Sequence, residues 1–223
     1  MSGRYGVVIP AFNAAKTIGE VVHRAKAAGW PVIVVDDGST DNTAAVSAGQ
    51  GALVISHLRN QGKGCALRTG FAHALRSHWD GVVTLDSDGQ HDPAEIPQLI
   101  AEGERQHASL VLGNRMANGA PMPAARRWTN AVMSRLISTR IRQPIPDSQC
   151  GFRFIHKELL DTLPLRAKRF EAETELVIWA AVRRWKIISV PIRSSYHHHE
   201  SHIRPVRDGV RFLWTLLRSL GWR

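Results

Sequence analysis

The sequence predicts an α/β fold, a mostly parallel sheet with helices on both faces. Three observations predict it. Short apolar runs alternate with stretches of helical spacing over the first two-thirds of the 223 residues. Most of those runs end in polar clusters. Hydrophobic residues at 43% and charged residues at 22% give ordinary globular composition, enough for one domain with a sizeable core.

The elements follow in order. Residues 5–9 are an apolar run stopped by Pro10, expected as a buried strand. Ile18, Val21, Val22 and Ala25 recur at helical spacing and predict a helix. Residues 31–35 give the second strand, which runs into Asp36-Asp37-Gly38, and Ser39-Thr40-Asp41-Asn42 offers N-cap side chains for a second helix. A third strand is expected over 53–55, a helix over 63–78, and a fourth strand over 82–85 that ends at Asp86. Asp92-Pro93-Ala94-Glu95 has the cap, proline and acid of a helix start, and a fifth strand covers 110–112. A loop rich in Gly, Pro and Ala over 118–123 precedes a helix over 124–142. The last third is expected to hold a helix around 173–184, a strand around 187–192, a histidine-rich loop and a terminal helix. One domain over 1–200, followed by a basic amphipathic helix over 201–223, is the expected organisation.

In open α/β sheets, ligands bind beyond the carboxyl ends of the strands. Asn13, Asp36-Asp37, Asp86-Ser87-Asp88 and Asn114-Arg115 all fall there. Net charge is +10, which favours anionic partners without choosing among nucleic acid, acidic lipid and phosphorylated substrates. No apolar run approaches the roughly 18 residues of a spanning helix. The N-terminus leads straight into a strand pattern, so no secretory signal is expected. Cys65 and Cys150 are far apart and are expected as thiols, which points to a reducing, cytoplasmic compartment.

Asp86-Ser87-Asp88-Gly89-Gln90-His91 is the sharpest chemical signal. Two carboxylates one residue apart, just past a buried strand, can meet on one side of a turn. Mg²⁺ and Mn²⁺ prefer oxygen ligands and often take only one or two carboxylates beside phosphates. Gln90 adds an amide oxygen, so Asp86, Asp88 and Gln90 are the candidate metal set. Asp36 and Asp37 are placed to bond a base or ribose. Asn60-Gln61-Gly62-Lys63-Gly64 offers a cation and close backbone to a diphosphate, and Arg115 offers a guanidinium.

Four segments in sequence carry a resemblance: Val8-Ile9-Pro10-Ala11-Phe12-Asn13, Val34-Val35-Asp36-Asp37-Gly38-Ser39-Thr40-Asp41, Asn60-Gln61-Gly62-Lys63-Gly64 and Asp86-Ser87-Asp88-Gly89-Gln90-His91. The series resembles family 2 glycosyltransferases of the GT-A, Rossmann-like type. It is most similar to the branch with dolichyl- and polyprenyl-phosphate mannosyl- and glucosyltransferases, which Asp147-Ser148-Gln149-Cys150-Gly151-Phe152-Arg153 also matches. The resemblance runs from about residue 5 to 195. It implies a metal-dependent, inverting transfer from a UDP- or GDP-sugar, with Mg²⁺ or Mn²⁺ as cofactor.

By position, the resemblance puts Pro10, Ala11, Phe12, Asn13, Asp36 and Asp37 at the nucleoside, with Lys63, Asp86, Ser87 and Arg115 on the rest of the donor. Asp88 is a catalytic candidate, and Glu173 or Asp147 is the candidate base if the acceptor is a hydroxyl. A phosphate acceptor needs no base, but it needs cations. Arg126, Arg127, Gln149, His202 and Arg204 are the acceptor candidates.

Two departures qualify the resemblance. Many members carry Glu after the first-strand Asn, where this chain has Ala14. A G-x-S-K-type segment is replaced by Tyr196-His197-His198-His199-Glu200-Ser201-His202-Ile203-Arg204-Pro205, which leaves room for an acceptor other than a simple polyprenyl phosphate. The histidines do not have the H-E-x-x-H zinc spacing.

The C-terminal 17 residues combine Val210, Phe212, Leu213, Leu216, Leu217, Leu220 and Trp222 with Arg207, Arg211, Arg218 and Arg223. That pattern predicts an interfacial helix on an anionic bilayer, and hence a peripheral protein at the inner face of the cytoplasmic membrane. Packing on the domain, or in a dimer contact, is the competing expectation. Two other functions fit the sequence less well. A sugar-nucleotide pyrophosphorylase would open with a Gly-rich loop where Pro10-Ala11-Phe12-Asn13 stands. A basic nucleic-acid-binding module leaves the strand-end acids unexplained, so no nucleic-acid partner is expected.

Overall fold

The computed structural model describes residues 3–117, 122–164, 166–169, 171–195 and 205–222, without the side chains of 205–208 and 210. Seven strands form one sheet: β1 Tyr5–Ala11, β2 Val32–Asp36, β3 Leu53–Ser56, β4 Gly81–Thr84, β5 Leu110–Asn114, β6 Arg153–His156 and β7 Ile187–Pro191. Their spatial order is β3-β2-β1-β4-β6-β5-β7. All pairings are parallel except those of β6, which runs antiparallel to both β4 and β5.

Strand side chains alternate between faces, and each face buries its own core. Val8, Ile33, Val35, Val82, Leu110 and Ile155 pack on one face. Over them lie α3 Lys63–Arg76, α5 Ala124–Ile141, α6 Lys157–Thr162, α7 Glu171–Val182 and, through Phe212, α8 Pro205–Arg218. Val7, Ile9, Val34, Val83, Val111 and Phe154 form the other core, under α1 Ile18–Ala27, α2 Thr43–Gly49 and α4 Ile96–Gln106. The predicted mostly parallel sheet with helices on both faces is therefore the observed one. At Gly70, a Cβ would stand 2.4 Å from Val8 Cγ1, so the absent side chain is what lets α3 lie close on β1.

Two local expectations change. Asn42 caps α2 without a side-chain hydrogen bond, and Asp41 instead accepts from the Thr43 amide at 3.0 Å. Asp92 does cap a helical start, accepting from the Ala94 amide, but that start is a 3₁₀ turn, Pro93–Glu95, leading into α4. Strand β6 was not expected at all. The segments 118–121 and 196–204 lie outside the described residues, and with them His202 and Arg204.

Candidate functional site

The site is built where β1, β2 and β4 end. Asp37 is 2% exposed, and its carboxylate accepts from the Gln61 amide at 3.0 Å and the Gly62 amide at 2.6 Å, with His57 Nδ1 at 2.7 Å. It therefore organises the 57–62 loop. Expected as a nucleoside contact, Asp37 is turned inward by these three partners. Asp36, also buried, accepts from the Ser39 amide at 3.1 Å. Gly38 makes the crossing possible, since a Cβ there would lie 2.4 Å from the Arg59 carbonyl carbon and its φ is +73°. Asn13, with φ 50°, closes the other side: its Oδ1 accepts from the Thr40 amide at 2.8 Å, and its own amide donates to Ser39 Oγ. Pro10 and Ala11 are buried beneath, with Phe12 half-buried.

Past β4, Asp86 and Lys63 meet at 2.6 Å, and Lys63 Nζ also donates to Glu173 Oε1 at 2.8 Å. Lysine 63 thus joins the first acid of the pair to the acid on α7. Burial favours the neutral form of Asp86, but the charge and hydrogen bond of Lys63, with His91 and Arg115, together more than offset it and hold the carboxyl at about 2. The same two carboxylates overcome burial at Lys63 and raise its ammonium above the ordinary range. Asp88 behaves oppositely: burial, then the charge of Asp86, raise its carboxyl above the usual range. Arg126 stands near enough to temper that rise, while Arg127 is exposed.

The turn itself is pinned from three sides. Thr17 Oγ1 donates to the Ser87 carbonyl at 2.7 Å, and the Gln90 amide donates to Asp88 Oδ1 at 3.0 Å. Gln90 is buried, and its carbonyl accepts from the Ser195 amide. Gly151 leaves room for the first acid, because a Cβ there would stand 2.3 Å from Asp86 Oδ2. An enclosed space of about 10 Å³ lies behind, lined by Pro10, Lys63, Asp86, Arg153 and Glu173. That is about one water in size, so a sugar has to approach from the solvent side.

Asp147 and Arg115 form a second, deeper pair. Arg115 donates through Nε to Asp147 Oδ2 at 2.8 Å and through an Nη to Oδ1 at 2.9 Å, and Asn130 adds a third side-chain donor at 2.9 Å. Asp147 is 1% exposed. Burial would raise its carboxyl, but Arg115 and Asn130 hold it below the usual carboxylate range. A base must be reachable and willing to take a proton. Asp147 as placed is a buried counter-ion, and Glu173, 7% exposed and paired with Lys63, is also buried. Arg115, expected on donor phosphates, has its guanidinium engaged by that carboxylate. Gln149 is half-buried and donates to Ser148 Oγ.

Arg153 was missed by sequence reasoning. It is 1% exposed, and it donates to the carbonyls of Cys150 at 2.7 Å, Ser148 at 2.8 Å and Glu173 at 2.8 Å. It ties the 147–151 loop to the start of α7 and so positions Glu173. The available signal was a charge inside the apolar run Phe152-Arg153-Phe154-Ile155.

The donor set suits a hard dication. Among the described residues, no group of three or more His, Cys, Asp or Glu side chains converges as a metal cage. Asp86 and Asp88 provide carboxylate oxygens on one turn, which matches an ion completed by phosphates and water.

Similarity to known proteins identifies the family and the fold. The family model described as glycosyl transferase family 2 matches residues 6–164. The uncharacterized protein MJ1222 of Methanocaldococcus jannaschii is 31% identical over 218 residues, 95% of this chain and 90% of its own. The UDP-N-acetylglucosamine–dolichyl-phosphate N-acetylglucosaminyltransferase of Methanococcus voltae is 32% identical over 213 residues, 85% of each chain. The structure of glucosyl-3-phosphoglycerate synthase from Mycobacterium tuberculosis superposes with a TM-score of 0.76 at 25% identity, over 99% of this chain and 81% of that one. A complex of that synthase with Mn²⁺, UDP and phosphoglyceric acid gives 0.78 at 24% identity, over 99% and 79%, a likeness of fold. The chain therefore belongs to glycosyltransferase family 2, and its fold is of the GT-A type.

Proposed function

We propose that the protein is an inverting, divalent-metal-dependent glycosyltransferase that moves a sugar from a UDP- or GDP-sugar to a polyprenyl-phosphate-like acceptor at a membrane surface. One observation carries the reading. The two acids after β4 share one half-buried turn, and the first of them is joined through Lys63 to Glu173. The family membership, the Methanococcus voltae relative and the Mn²⁺–UDP complex of the synthase support it.

Asp86 and Asp88 would hold Mg²⁺ or Mn²⁺, with Gln90 beside them. When bound, the ion acts as a Lewis acid on the departing diphosphate. The chain's own residues do the remaining work. The 10–13 and 36–40 segments form the nucleoside wall, and their hydrogen bonds to each other fix its shape before any ligand arrives. Lys63 keeps Asp86 ionised and in place. Arg126, near Asp88, is the cation best placed for a phosphate of donor or acceptor. A phosphate acceptor attacks already ionised, so Glu173 is then a positioning group. With a hydroxyl acceptor it is the base.

Membrane association is part of the proposal. No helix among the described residues is long and apolar enough to cross a membrane. Two helices nevertheless expose apolar side chains: Trp128, Val132 and Leu136 at four-residue spacing on α5, and Leu213, Trp214 and Leu217 on α8, with Leu220 just beyond it. An exposed stripe of this kind suits the plane of a bilayer surface, at its cytoplasmic face.

The test has two arms. Calorimetry with Mn²⁺ against a panel of UDP- and GDP-sugars is expected to select one donor. Transfer is then assayed to polyprenyl phosphate in vesicles and to soluble phosphorylated acceptors. Binding of no donor removes the transferase reading. Transfer to soluble acceptors alone removes the lipid acceptor.

A further inference from the structure

A groove of about 310 Å³ opens between α8 and the segment that leads into α7. Arg166, Lys168 and Arg169 line one wall, and Arg211 and Arg218 line the other. Trp214 and Trp222 complete it. One of the two carboxylates at the groove, Glu175, is 3% exposed and accepts from the Arg166 and Ala167 amides at 2.8 and 2.7 Å. Its charge is tied to the backbone of the wall, so the lining carries an excess of positive charge. The volume is that of a small-ligand site.

Position narrows the ligand. Arg211, Trp214 and Arg218 follow at spacings of three and four, so they share one face of α8. Beside that face lie Leu213 and Leu217, 51% and 60% exposed, and Trp214 itself is 68% exposed. Cations and tryptophans bordering an apolar face are the arrangement found at headgroup depth in a bilayer. The groove shares no lining residue with Asp86, Asp88 or Arg126. A lipid headgroup held here would meet none of those three residues.

We propose that this groove binds the phosphate headgroup of an anionic phospholipid and fixes α8 on the bilayer, separately from the acceptor. The inference rests on the membrane reading above. It adds a site next to the catalytic machinery: the Lys168 carbonyl accepts from the Gly64 amide at 2.9 Å, one residue from Lys63.

Flotation of the full chain with vesicles tests it. Vesicles are phosphatidylcholine alone, phosphatidylcholine with phosphatidylglycerol, or phosphatidylcholine with polyprenyl phosphate. Arg211→Gln with Arg218→Gln is compared with a distant pair of equal charge loss, Arg4→Gln with Arg76→Gln. At about a factor of five per cation, the groove pair is expected to weaken binding to phosphatidylglycerol vesicles by about thirtyfold, and the distant pair by far less. Thermal melts confirm folding of each variant, and a second groove pair, Lys168→Gln with Arg169→Gln, repeats the test from the opposite wall. Equal losses from groove and distant pairs overturn the site in favour of diffuse attraction. Groove-dependent binding to polyprenyl phosphate alone also overturns it, because the ligand is then the acceptor. Donor binding with Mn²⁺, measured on the same samples, reports on the transferase reading independently, so the two can fail separately.

Discussion

The strand-end site and the α5–α8 surface treat their side chains in opposite ways. At the ends of β1, β2 and β4, polar groups are buried and bonded to one another: Asp37 by His57 and two amides, Asp147 by Arg115 and Asn130, Glu173 by Lys63. On α5 and α8, large apolar groups stand in solvent, Trp128 at 70% and Trp214 at 68% exposed. The first region bears the cost of burying charge in return for a fixed geometry. The second leaves apolar area uncovered, as surfaces that meet a partner or a membrane do. On the proposed function, preorganised chemistry and surface attachment fall to different parts of the chain.

Substitutions break the comparison from either side. The largest effect is expected at Asp88→Asn, which removes one of the two carboxylates proposed to hold the metal. Transfer should fall by at least about a thousandfold with the melting curve intact, since a Lewis acid contributes several kcal/mol. Next is Asp147→Asn, which leaves Arg115 buried without its counter-ion. Stability should fall by about 3 kcal/mol in a denaturant titration. The sign with pH follows from the depressed carboxyl. Asp147 contributes its full stability above the unfolded-state value of about 4, and the contribution is lost as pH falls through the lower folded value. The Asn variant should lack that part of the acid limb.

Gly151→Ala is a finer test. The added methyl meets the Asp86 carboxylate and should move it, costing about a hundredfold in kcat/KM. Smallest in stability is Leu217→Ser on α8. Its free energy of unfolding should stay within about 0.5 kcal/mol of the parent while vesicle binding weakens. A large stability loss there would mean that the exposed stripe packs against protein.

Much of this fold was legible in the sequence because parallel strands buried on both faces appear as unbroken apolar runs. Residues 5–9 and 31–35 are such runs, and the acids after them mark where the sheet ends. Strand β6 was illegible for a physical reason. It is four residues long, it runs against its neighbours, and it begins with Arg153, a charge satisfied entirely by carbonyls from other segments. The acid pair after β4 was legible by its spacing. The inward turn of Asp37 was not, because its partner His57 belongs to no motif and is met only when the loop folds back. Likewise, nothing at Arg115 announces that Asp147 will engage it.

The central claim is that Asp86 and Asp88 together hold a divalent ion against a nucleotide diphosphate. Electron paramagnetic resonance of Mn²⁺ titrated into the protein, with and without UDP, tests it most directly. The account predicts weak Mn²⁺ binding alone, strong binding with UDP, and loss of both in Asp88→Asn. UDP bound equally well in EDTA, or Mn²⁺ retained undiminished by Asp88→Asn, would contradict it.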